Sequence, residues 1–174
     1  MRPAAPAAAP EPAPATPTVA AAPDPLASAR ADITAGQFAA ALAKSDAAPH
    51  PLTGAWLLLR SDALRGLGKN RDAADALLAA SALLEGTAQT EAAYSAAYLR
   101  FHDLKDGDGA LAALAAADVD VSGSMFEERG LALHVEILVA KGKRADAKPL
   151  AQRYLEHFPR GELRSLMHHL VESR

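Results

Sequence analysis

From Asp24 onward the chain repeats a helical pattern of apolar positions, broken at regular intervals by glycine and proline. Asp24-Pro25 reads as a helix start, with a capping carboxylate and a ring pre-set for the first turn; that helix is expected to reach about Ala35, where Gly36 breaks it. The punctuation then predicts helices over 37–47, 52–67, 71–84 and 88–104, a turn at Asp106-Gly107-Asp108-Gly109, and a short helix to about Ala117. Ser124 and Glu127 have the spacing of a capping box and are expected to open a seventh helix that ends near Lys141-Gly142. Helices eight and nine are expected over 144–158 and 162–172. Leu131, Val135 and Leu138 share one face, as do Ala147, Leu150, Ala151, Tyr154, Leu155 and Phe158. In helix nine, Leu163, Leu166, Met167, Leu170 and Val171 form a stripe expected to dock on helix eight over Tyr154 and Phe158. Pro149 lacks the amide hydrogen of the ladder, so it is expected to kink helix eight or delay its start.

Composition agrees with an all-α fold, because alanine and leucine dominate while β-branched and aromatic residues are few. The first 25 positions differ: they hold eight of the twelve prolines, and only Arg2, Glu11 and Asp24 are charged. Residues 1–23 are therefore expected to be a disordered, semi-extended Ala/Pro tether, and 24–174 the folded domain. The net charge of −3 and scattered Lys and Arg argue against a nucleic-acid partner. With no cysteine, disulfides, thiolate metal sites and cysteine nucleophiles are excluded. No apolar run reaches the roughly 18 residues of a membrane span, so no membrane insertion within this chain is expected. The expected location is cytoplasmic if Met1 is the native start, and envelope or periplasmic if the tether follows an upstream membrane anchor.

The inter-helix glycines Gly36, Gly68, Gly107 and Gly142 stand 32, 39 and 35 residues apart. Two helices per unit at a period near 34 resembles the tetratricopeptide-repeat family. In the last unit Gly142, Ala147 and Pro159 keep that family's intervals; Gly36 with Ala41 and Ala48, and Gly68 with Ala73 and Ala80, keep them in the first two. The third unit, around Gly107 and Ala112, matches least. The resemblance implies a right-handed stack of about four antiparallel helical hairpins, closed by a capping C-terminal helix. It also implies a protein or peptide partner held in a concave groove lined by the first helix of each hairpin. Aligned on the glycines, those positions are Leu58, Asp62 and the neighbouring Arg65, then Tyr94, Ala97, Phe101 and Lys105, then Arg129 and Glu136. An aromatic anchor rimmed by charge suits peptide recognition.

Candidate chemistry changes this picture little. His50, His102, His134, His157, His168 and His169 include no His-Glu-x-x-His pair, and the adjacent His168 and His169 diverge by about 100° on a helix, so no metal is expected. The segment 103–109 lacks the alternating oxygen ligands and closing glutamate of a calcium loop, which leaves a solvated turn. No phosphate loop or nucleophile elbow is present. The expected function is a non-catalytic, cofactor-free interaction scaffold, in a bacterial regulatory or envelope assembly. The alternatives are a sensory or regulatory domain of a membrane-anchored signalling protein, or an accessory domain of an enzyme assembly.

Overall fold

A computed structural model describes residues 24–121 and 123–173; the expected tether at 1–23 lies outside them. Among the described residues the regular elements are nine helices and no strand: α1 (Pro25–Thr34), α2 (Phe38–Asp46), α3 (Gly54–Gly66), α4 (Asn70–Ser81), α5 (Gly86–His102), α6 (Gly107–Ala116), α7 (Glu127–Ala140), α8 (Arg144–His157) and α9 (Arg164–Glu172). Each helix packs on the next in sequence, and α1 also meets α3 while α5 meets α7.

Local chemistry sets the turns. Asp24 accepts from the Leu26 amide at 3.0 Å and Pro25 opens α1, as the sequence predicts. After α1, α3 and α7 the chain turns through Gly36, Gly68 and Gly142, at φ of 72°, 72° and 73°. The next amide then donates to the carbonyl five residues back: Gln37 to Asp32 at 2.8 Å, Lys69 to Leu64 at 2.9 Å, Lys143 to Leu138 at 2.8 Å. This closure satisfies carbonyls that the helix end leaves open, and it favours glycine because a Cβ is strained there.

The turn between α5 and α6 corrects the sequence alignment. Its left-handed residue is Lys105, at φ 56°, and the turn is one residue longer, since Asp106 donates to the carbonyl six back, Arg100, at 2.8 Å. Gly107 and Gly109 instead lie in the first turn of α6, where the Asp106 carboxylate accepts from the Gly109 amide at 2.9 Å. A side chain at Gly109 would collide with that carboxylate, which explains the glycine without a left-handed turn.

Counted from the left-handed residues Gly36, Gly68, Lys105 and Gly142, helices α2, α4, α6 and α8 share one frame. The residue five positions on is Ala41, Ala73, Ala110 or Ala147, each fully buried. Nine positions on stand Ser45, Leu77, Leu114 and Ala151, also buried. Ala112, aligned as the small residue of the third unit, is exposed. The spacings become 32, 37 and 37.

Several local expectations are also corrected. Helix α4 stops at Ser81, so Leu83 falls outside it and is 59% exposed. The Ser124–Glu127 pair does not close as a capping box. The Ser124 hydroxyl accepts from the Phe126 amide, and the Glu127 carboxylate from the Gly123 amide one residue before the expected donor. Helix α8 begins at Arg144 and runs through Pro149 without a delayed start. In α9 only Met167 and Leu170 are buried, whereas Leu163 and Leu166 are 39% and 54% exposed.

Burial falls into three successive clusters. The first joins α1 to α3 around Ala41, Trp56 and Ala63. The largest runs from α3 to α7 and is built mostly of alanine, with Leu77, Leu99, Leu114 and Ile137. The last joins α7, α8 and α9 around Leu131, Tyr154 and Met167. Small side chains let helices approach closely: a Cβ at Gly66 would stand 2.3–2.5 Å from the Phe38 ring.

Candidate functional site

Helices α3, α5 and α7 bring most of the expected site residues together. Leu58, Asp62 and Arg65 on α3 face Glu91 and Ser95 on α5 across a cleft of about 230 Å³. A second cleft of about 290 Å³ shares Arg65, Glu91 and Ser95 with it and continues over Tyr94 and Tyr98 to Phe126 and Arg129. The two form one continuous depression.

Its floor is aromatic. Tyr94 lies 6.3 Å from Tyr98 and 5.7 Å from Phe126, centroid to centroid. The Arg129 guanidinium sits over the Tyr94 and Phe126 part of this floor, 5.0 Å from the Tyr94 centroid and 5.9 Å from that of Phe126. Such stacking holds the cation by the ring quadrupole and leaves its donors available. Burial raises the Tyr94 phenol above its ordinary pKa, with Arg129 opposing. Partial burial likewise raises the Asp62 carboxyl against the pull of Arg65.

Phe101, Lys105 and Glu136 line a separate hollow of about 550 Å³ around the α5–α6 turn, together with His102 and Lys141, rather than the aromatic cleft. Ala97 is fully buried in the core, so its assignment to the groove is wrong. The same register error hid Tyr98. Once the longer α5–α6 turn is allowed for, Tyr98 takes the place along its helix that Asp62 and Glu136 take along theirs, and it is 46% exposed. The missing signal was the left-handed Lys105, which no glycine marks. Phe126 was also missed, because it precedes α7 and enters the cleft from the α6–α7 connection.

Comparison with family models, curated proteins and solved structures finds no match for this chain. The site therefore rests on its own geometry.

That geometry is held by polar contacts along the α6–α7 connection. Asp120 pairs with His134 at 2.7 Å, and this hydrogen bond is the main reason its carboxyl lies below the ordinary range. Glu127, 5% exposed, accepts from the Gly123 amide at 2.9 Å and Arg153 at 3.0 Å, and pairs with His157 at 2.9 Å. Burial alone would raise the Glu127 carboxyl, yet these partners together bring it below its ordinary value. The Tyr154 hydroxyl donates to Glu128 at 2.7 Å and accepts from the Leu163 amide at 3.1 Å, tying α8 to α7 and to the start of α9.

The remaining histidines show no shared ligand geometry. His102 stacks on Tyr98 at 4.2 Å, while His50, His168 and His169 are exposed. Among the described residues no group of three or more His, Asp or Glu is placed to hold a metal ion, and no helix is long and apolar enough to cross a membrane.

Proposed function

We propose that the chain is a non-catalytic protein-interaction scaffold of four tetratricopeptide-like hairpins, α1–α2 to α7–α8, capped by α9, and that its cleft holds an extended segment of a partner protein. The observation that carries this reading is the floor of Tyr94, Tyr98 and Phe126 flanked by Arg65 and Arg129. Rigid aromatic faces give contact area at little entropic cost, and guanidinium groups at the rim set register against backbone carbonyls and carboxylates. The shared frame of left-handed turns and buried alanines supports the repeat part of the reading.

Selection of a displayed peptide library on the purified chain tests it. The expected result is a consensus enriched by the wild type, with binding weakened at least tenfold by Tyr98→Ala and by Arg129→Ala, each worth about 1.4 kcal/mol or more. Enrichment that survives both substitutions would move the site elsewhere, and no enrichment would remove the reading.

A further inference from the structure

The aromatic cleft holds two guanidinium groups, Arg65 and Arg129, that close no ion pair among the described residues. Among the described residues, the ion pairs occupy Arg60, Arg100 and Arg153, but neither Arg65 nor Arg129. Of the carboxylates at the same depression, Asp62 stands beside Arg65 without closing an ion pair with it, Asp103 already accepts from Asn70 at 3.0 Å, and Glu91 stands exposed at the rim. The site thus offers flat aromatic faces beside two guanidinium groups. Proline rings suit such faces, since their pre-set backbone loses little entropy on docking.

The chain carries a segment of that chemistry. Residues 1–23 contain seven prolines, and their one carboxylate, Glu11, sits between Pro10 and Pro12. We propose that this segment is an occupant of the chain's own cleft, with the Glu11 carboxylate between Arg65 and Arg129 and the flanking prolines against Tyr94 and Tyr98. The inference rests on reading the cleft as a peptide site.

Reach allows it. Helix axes in contact lie about 8–10 Å apart, so passing from α1 over α3 to α5 covers roughly 20 Å. The twelve residues from Pro12 to Pro23 span roughly 37 Å at the ~3.1 Å per residue of a proline-rich strand. Tethering also supplies an effective concentration on the order of millimolar, so a contact too weak to persist between separate molecules still fills the cleft. A foreign ligand must then displace the segment, which sets a threshold for binding.

The absence of cysteine permits a direct test on the full chain. Ala9→Cys gives a single attachment point for a nitroxide label on isotopically enriched protein. The expected result is strong paramagnetic broadening of the amide signals of Tyr94, Tyr98 and Arg129, far above that on α9. Glu11→Gln should weaken it, and Tyr98→Ala should abolish it while circular dichroism stays unchanged. Broadening confined to α1 and α2, or equal on all helices, overturns the proposal. So does equal broadening when the label is carried by an unenriched copy, since the occupant is then a second molecule. A negative result here leaves peptide enrichment by the cleft intact, so the two readings fail separately.

Discussion

At the scale of single residues, burial and backbone angle decide which changes matter. Gly66 and Gly68 are two positions apart and glycine for different reasons. A methyl group at Gly66 overlaps the Phe38 ring, whereas at Gly68 it meets nothing but must adopt φ 72°. Gly66→Ala is expected to cost about 1–3 kcal/mol by overpacking, even though alanine favours helix. Gly68→Ala should cost about 1–2 kcal/mol, through strain alone. Urea denaturation of both separates them further, because enlarging to Val should worsen Gly66 far more steeply. In α9, Met167→Ala should cost about 2–5 kcal/mol and Leu166→Ala less than about 0.5 kcal/mol, since one side chain is fully buried and the other is 54% exposed. Equal losses would show that α9 docks by another face. The sequence stripe treated those two leucine and methionine neighbours alike; the distinction turns on about 100° of helix rotation, which the apolar pattern of a nine-residue helix leaves open.

At the scale of elements, the α6–α7 connection depends on charge. The Asp120 and Glu127 carboxyls both lie below their ordinary values when folded. A carboxyl of this kind binds fewer protons folded than unfolded. It therefore adds stability above its unfolded pKa, about 3.9 for Asp and 4.3 for Glu, and that share is lost as pH falls through the folded value. Glu127→Gln should cost about 1–3 kcal/mol at pH 7, allowing for the exposure of Arg153 and His157, and the gap to wild type should close as pH falls below about 4. Denaturation curves at pH 7, 5 and 3.5 measure it; a gap that stays constant with pH would mean Glu127 acts through packing. Phe126 and the cleft wall should loosen with this connection, visible as faster amide exchange over 123–126 in the variant. Most helix limits were legible because Gly36, Gly68 and Gly142 each carry out the turn they announce. The α5–α6 turn was not, because its left-handed residue is a lysine and its glycines serve the cap and the close approach to Arg100. Counting from Gly107 in place of Lys105 assigns Ala97 to the cleft and leaves Tyr98 out. The side-chain partners of the buried Glu127, Arg153 and His157, come from α8, 26 and 30 residues away, and no local pattern announces them.

For the whole molecule, three core clusters in sequence imply that stability is distributed rather than central. Helices α4 and α5 pack most extensively on the helices before and after them, while α1 and α9 stand at the ends. Hydrogen exchange should therefore be slowest in α4 and α5 and fastest in α1 and α9. Uniform protection throughout would mean one cooperative unit. The four alanines at 41, 73, 110 and 147 have one more consequence. Each is fully buried, so a larger residue at any of them is expected to overpack its site and destabilise the fold. Their neighbours one position back, at Ala40, Asp72, Gly109 and Asp146, differ in size, charge and exposure. A comparison by residue identity blurs such a frame. A survey of every substitution at every position would bring it out as a barcode, with bars of intolerance 32, 37 and 37 residues apart. The common frame of these helices would then be read from what the chain refuses rather than from what it spells.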